Sequence, residues 1–159
     1  MRLRHHMVKK LIAEPLGPLH GVRVLQSADA IALGELMHEG YFGTMDYDDE
    51  TVAQSIEEVK ATLAGKYGTL LPTASYVAMD KGKMISAAVF VFFEKNKMPL
   101  LAFTMTHPDY KGKRWSQHLV KLGLQALKTQ GYDECCLYVT EGNQPAQSIY
   151  EKLGFKKLP

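Results

Sequence analysis

The ten-residue run "MISAAVFVFF" at 84–93 constrains this chain more than any other stretch. It is too short to cross a bilayer as a helix, which takes about 20 apolar residues. It reads as a strand, and since it does not alternate between polar and apolar residues, both of its faces are expected to be buried. The segment "ASYVAMD" (74–80) precedes it across Lys81-Gly82-Lys83, so the two form a hairpin. After the turn "KNKMP", "LLAFTMT" (100–106) adds a third strand.

On either side of this meander the apolar period is helical. "GVRVLQ" (21–26) alternates as a strand, and Ser27 or Asp29 can cap a helix that runs to about Glu39 with Ile31, Leu36 and Met37 among its apolar residues. Val52, Ile56, Val59 and Leu63 recur at helical spacing in the next segment, with Asp48, Asp49 and Glu50 at its start. "GYFGTMDYD" (40–48) joins the two helices. Beyond Pro108 the order becomes loop, helix, strand, helix: Leu119, Leu122, Ala126 and Leu127 make one apolar stripe, Gly131 is a C-cap and "CCLYVT" (135–140) is the strand. A helix between two strands implies a right-handed crossover, so 100–106 and 135–140 should run parallel. Ligands in such sheets sit at the carboxyl ends of the strands, beside a helix N-terminus. The stretch "THPDYKGKRWSQHLV" (106–120) lies there.

The chain has 159 residues, a size that suits one domain, and a net charge of +2 with its basic residues dispersed, which argues against a nucleic-acid partner. The N-terminus has no apolar stretch followed by a small-residue cleavage site, so a cytoplasmic protein without membrane attachment is expected. Residues 1–20 read as a leader, with flexibility one option, and 21–159 as a single domain. His5-His6 falls in that basic leader, where disorder or a cloning remnant outranks a ligand role. Cys135 and Cys136 are adjacent, which is too close for ordinary disulfide geometry, and in a strand they face opposite ways. They read as small buried hydrophobes, and no metal site is expected.

"HPDYKGKRWSQHLV", a helix, a strand ending "LYVTEGN" and then "NQPAQSIYEKLGFKK" (143–157) resemble the acyl-CoA-binding half of the GNAT superfamily of N-acetyltransferases. Asn143, Ala146, Tyr150 and "EKLGF" match the family's N-x-x-A-x-x-x-Y-E-K-x-G-F pattern in full. The resemblance implies an α/β fold of the α+β type: a mixed, mostly antiparallel sheet flanked by helices, with a parallel strand pair at the acyl-CoA site. It implies acetyl-CoA as cosubstrate and an amine-bearing acceptor.

The family's phosphate loop usually reads R/Q-x-x-G-x-G/A, whereas this chain has Lys111-Gly112-Lys113-Arg114-Trp115-Ser116. The resemblance implies that backbone N–H groups there, with the first turn of the next helix, receive the CoA pyrophosphate. Ser116 is a small departure, but Arg114 is a large one, because a Cβ restricts positive φ. Against that, Lys111, Lys113 and Arg114 bring three cations to an anion site, and Arg can pair bidentately with phosphate. A solvated basic turn without a ligand is the other reading.

Tyr150 is the catalytic candidate. In the family the tyrosine protonates the leaving CoA thiolate after an amine attacks the thioester, and the alternative role is an aromatic packed under its helix. Asn143 either contacts the pantetheine, caps its own helix, or does both. Met105 and Thr106 are expected, by analogy, to offer backbone groups to the acyl-pantetheine. Glu94 and His107 are the nearest titratable candidates for a base, each with an ordinary surface role as the alternative and a water chain as a substitute. The acceptor site would be framed by 40–50, where Tyr41, Asp46 and Tyr47 stand among Phe42, Asp48, Asp49 and Glu50. That acidic and aromatic mixture suits a cationic amine, or it decorates a helix N-terminus. Family members usually continue past "LGF", so the C-terminal sheet edge is either short, completed by another part of the chain, or completed by a second copy in a homodimer. Two functions stay open: an acetyl-CoA-dependent N-acetyltransferase acting by direct attack, and a non-catalytic acyl-CoA-binding or interaction module.

Overall fold

The computed structural model describes residues 3–13 and 19–159. In chain order these form β1 (Arg4–Lys10), β2 (Val22–Val24), α1 (Ala30–Tyr41), α2 (Val52–Leu63), β3 (Thr69–Leu70) and β4 (Tyr76–Asp80), then β5 (Lys83–Phe93) and β6 (Met98–Thr106). α3 (Trp115–Thr129), β7 (Glu134–Thr140), α4 (Gln144–Lys152) and β8 (Lys156–Lys157) complete the fold. One sheet runs in the order β2-β4-β5-β6-β7-β1-β8, with β3 paired to β5. Every recorded pair is antiparallel except β6–β7, which is parallel as the crossover required.

β5 is buried from Met84 to Val91, because each face of the strand meets a different core. Ala88 and Phe90 pack with Leu119, Leu124 and Leu127 of α3. Ala87 and Val89 pack on the other face, with Leu33, Leu36 and Met37 of α1 and Val59 of α2. α1 and α2 cross closely at Gly34, where a Cβ would stand 2.4 Å from the Ile56 Cα.

Local chemistry sets the element ends. Strand β2 is shorter than 21–26 because the chain turns at Gln26, whose N–H donates to Asp29 Oδ2 (2.8 Å). Arg23 grips the same carboxylate with both guanidinium nitrogens, at 2.8 and 2.9 Å, so Asp29 ties β2 to the start of α1 instead of capping the helix with its side chain. α2 starts with a Thr51–Gln54 capping box and has no acidic residue in its first turn, so Asp48, Asp49 and Glu50 precede the helix. α3 ends in a Schellman motif, with Gly131 N–H on the Lys128 carbonyl and Tyr132 N–H on that of Leu127.

The leader assigned to residues 1–20 needs correction where the structure describes it; residues 1–2 and 14–18 lie outside the described residues. Residues 4–10 form β1, paired along its whole length with β7. Met7 is fully buried, and the His6 ring stacks on Tyr138 with centroids 4.5 Å apart. A single apolar pair, Met7-Val8, amid basic residues carries no periodic signal, and its pairing partner lies at the other end of the chain. β8 pairs with β1 at Met7 and Val8. The sheet beyond β7 is therefore built from another part of this chain. Cys135 and Cys136 point into different cores, and burial pushes both thiols up, Cys136 to about 11.

Candidate active site

β6 and β7 are joined in parallel at Leu100 and Cys136. Between Val89 and Phe90 the pairing of β5 with β6 slips: Val89 faces Phe103, whereas Phe90 faces Leu101. Ala102 is the extra residue, and the bulge re-aims the second half of β6. Thr104 and Thr106 then lie toward the α3 side. The Thr104 Oγ1 is buried and has no partner among the described residues, while the Thr104 carbonyl accepts a long bond from the Tyr41 hydroxyl (3.4 Å). Met105 puts its side chain into the α1–α2 core, and its carbonyl accepts the Ser86 hydroxyl at 3.1 Å.

The loop after β6 reaches α3 through two left-handed residues, Gly112 (φ +82°) and Arg114 (φ +64°, ψ +21°). Arg114 thus takes the backbone conformation that glycine adopts freely, at a cost of about 1–2 kcal/mol for a residue with a Cβ. Its carbonyl accepts the first helical N–H, from His118, at 3.1 Å. The N–H groups of the first turn therefore point forward out of the helix. The three expected cations do not act together. Lys111 Nζ donates to the Gly40 carbonyl at the end of α1 (2.8 Å), and Lys113 Nζ lies 5.6 Å from the centre of the Tyr110 ring. Arg114 is exposed. Ser116 has a reason of its own: its Oγ is 2.5 Å from Thr106 Oγ1, which is 2.9 Å from Ser86 Oγ, so three hydroxyls tie α3, β6 and β5 together. Trp115 packs half-buried against the α3-side core.

Each part of the "NQPAQSIYEKLGF" motif has a local cause. Asn143 Oδ1 accepts the Ala146 N–H (3.3 Å) and so caps α4. At the other end Gly154, at φ +100°, donates to the Glu151 carbonyl, and Phe155 N–H donates to that of Tyr150, closing a second Schellman motif. Burial pushes the Tyr150 hydroxyl pKa up, and Tyr41 and Asp46 nearby push the same way. Tyr41 rises to about 12, first through burial and then through Asp46, with Arg4 opposing.

Of the residues expected to frame an acceptor, Tyr41 and Asp46 lie near enough for their charges to raise the Tyr150 pKa. Tyr47 does not: its ring lies 5.1 Å from Phe42 and 6.1 Å from His38, and its hydroxyl donates to the Glu50 carbonyl (3.3 Å). Asp46 receives Thr140 Oγ1 at 2.8 Å and, at a long 3.5 Å, Asn143 Nδ2. Thr104, Ser86 and Thr140 escaped sequence reasoning because single hydroxyl residues within strands carry no pattern. Of the base candidates, Glu94 is exposed in the β5–β6 turn with Lys97 (3.0 Å), at the opposite end of β6 from Thr106. His107 is buried, with Nε2 at 2.9 Å from Glu39 and Nδ1 accepting the Asp109 N–H at 3.1 Å. Among the described residues no three His, Cys, Asp or Glu side chains gather as a metal site, and no helix is long and apolar enough to cross a membrane.

The model of the acetyltransferase (GNAT) family matches residues 34–155. Mycothiol acetyltransferase from Corynebacterium glutamicum is 46% identical over 46 residues, which is 29% of this chain and 16% of that protein. N-alpha-acetyltransferase 30 from Schizosaccharomyces pombe is 29% identical over 87 residues, covering 53% of this chain and 58% of its own length. Both matches thus span less than two thirds of these curated relatives. Among solved structures, a GNAT-family acetyltransferase from Brucella melitensis in complex with acetyl-CoA superposes with a TM-score of 0.65 at 21% identity, covering 86% of this chain and 85% of that one.

Proposed function

The chain belongs to the acetyltransferase (GNAT) family, and from that premise we propose that it moves an acetyl group from acetyl-CoA to a primary amine by direct attack. The amine nitrogen bonds to the thioester carbon, the C–S bond breaks, and the Tyr150 hydroxyl gives its proton to the departing thiolate. The proton lost by the amine leaves through water, since Glu94 stands at the opposite end of β6 and the two ring nitrogens of His107 face Glu39 and the Asp109 N–H.

The observation that carries this reading is the placement of Tyr150. A helix capped at Asn143 and closed at Gly154 holds its ring, near enough to Tyr41 and Asp46 for their charges to act on it, and burial keeps its hydroxyl protonated. The residues present suit acetyl-CoA. Thr104 Oγ1, buried and without a partner among the described residues, suits a pantetheine amide, as do backbone groups near Met105 and Thr106. First-turn N–H groups of α3, with Gly112, Lys113, Arg114 and Ser116, suit the phosphates. The connection 42–51 forms the acceptor side, where the negative charge of Asp48, Asp49 and Glu50 suits a cationic amine, while Asp46 is turned inward to Thr140 and Asn143. The N-alpha-acetyltransferase relative also supports an amine acceptor. The proposed location is the cytoplasm.

Calorimetric titration with acetyl-CoA, followed by free-thiol release over amines, amino acids and peptides, tests the reading. Binding with amine-dependent release is expected. Binding without release from any amine would move the chain to the class of non-catalytic acyl-CoA-binding modules.

A further inference from the structure

We propose that Asp46 is a positioning residue: it clamps the α1–α2 connection to the end of β7 and the start of α4, and so fixes where Tyr150 stands. This rests on the acid role of Tyr150 proposed above. The clamp joins segments 94 and 97 residues apart in sequence. Asp46 Oδ1 accepts from Thr140 Oγ1, the last residue of β7, and Oδ2 accepts from Asn143 Nδ2. The second bond selects the orientation of the Asn143 amide. With its NH2 turned to the carboxylate, its oxygen is left for the Ala146 N–H, which is the α4 cap. Further bonds hold the same corner: Asn143 N–H donates to the Thr140 carbonyl (3.1 Å) and Gln147 Nε2 to that carbonyl (3.4 Å). Gln147 N–H donates to the Asn143 carbonyl (3.0 Å). Tyr150 follows on the next turn of this helix. The carboxylate thus acts through Asn143 on the helix that carries the acid, and its two oxygens face protein donors.

An amide in place of the Asp46 carboxylate leaves one acceptor for two donors. Its NH2 faces either the Asn143 NH2, which is relieved only by turning the Asn143 oxygen away from Ala146, or, turned over, Thr140 Oγ1, which must then accept and loses the acceptor for its own proton. The double change Asp46→Asn with Asn143→Asp exchanges donor and acceptor. It leaves one side-chain oxygen for Thr140 Oγ1 and another for the Ala146 N–H, and Asp is as good an N-cap as Asn.

The test compares parent, Asp46→Asn and the double variant in steady-state acetyl transfer, and in amide hydrogen exchange of α4 without substrate. Asp46→Asn is expected to lower kcat about 10- to 100-fold, the scale of a misplaced catalytic group, with the KM values for acetyl-CoA and acceptor unchanged. It should also speed exchange at Ala146 and Gln147. The double variant should recover most of the kcat loss and restore slow exchange. The clamp is overturned if Asp46→Asn keeps parental kcat and exchange, or if the double variant is no better than the single one. It is equally overturned if Asp46→Asn raises only the acceptor KM and the exchange partner does not repair it, since Asp46 then touches the acceptor itself. If Asp46→Asn alone fails to fold, a folded, active double variant supports the clamp and an unfolded one overturns it. A parent that releases no thiol with any amine ends the acid role of Tyr150, and the exchange rates then decide the clamp by themselves.

Discussion

Tyr150 and Phe155 meet edge-on across the end of α4, their ring centroids 6.1 Å apart and their planes at 71°. They occupy the two positions that a Schellman motif brings together, so the turn at Gly154 that ends the helix also sets the tyrosine ring. Ring and hydroxyl have separable duties. Tyr150→Phe keeps the edge-on contact and should leave the unfolding midpoint and acetyl-CoA affinity near the parent values. Turnover should fall roughly 10- to 10⁴-fold, because the proton is needed only as charge develops on sulfur. Thiol-release kinetics read the outcome, and equal turnover would remove Tyr150 from the mechanism.

Arg114 sits where its Cβ is strained, and Arg114→Ala keeps that Cβ while deleting the guanidinium. If the guanidinium pairs with a CoA phosphate, losing a charge-assisted bond of roughly 1.5–3 kcal/mol should weaken CoA about 10- to 150-fold. Arg114→Gly should weaken it less, since glycine takes φ +64° freely and lets phosphate approach the backbone. Calorimetric titration of both variants decides this, and parental affinity in both would make Arg114 a solvent-facing residue only.

Ser116→Ala removes one end of the hydroxyl chain Ser116–Thr106–Ser86. Thr106 keeps Ser86, so no buried hydroxyl is orphaned and the stability loss should be near 1 kcal/mol. The start of α3 is then held to β6 by one fewer bond, and the acetyl-CoA KM should rise while kcat changes little. Urea unfolding together with steady-state kinetics tests both parts.

The raised phenols make stability fall in alkali. Below about pH 10 both Tyr41 and Tyr150 are neutral in the folded and unfolded chain, and their whole contribution is present. As pH climbs from about 10 toward about 12 the unfolded chain releases protons that the folded chain keeps, so unfolding is favoured. Denaturant unfolding from pH 8 to 12 should show this decline, and Tyr41→Phe should flatten it. An equal slope in parent and variant would mean that Tyr41 titrates normally.

What was legible in the sequence is what depends on near neighbours. The doubly buried β5 follows from an uninterrupted apolar run, and the parallel β6–β7 pair from the helix between them. The capped start of α4 follows from Asn143. In each case the deciding contacts lie within a few residues, or follow from the hand of a single crossover. Tertiary structure alone decided the rest. β1 is a sheet strand because Met7 finds a buried place beside Leu137, about 130 residues away. Lys111, expected at a phosphate, is drawn to the Gly40 carbonyl, and Asp46, expected to face an acceptor, to Thr140 and Asn143. The composition of a loop records its charges but not their partners, because the partners are chosen by which distant groups the packed sheet leaves within hydrogen-bonding distance.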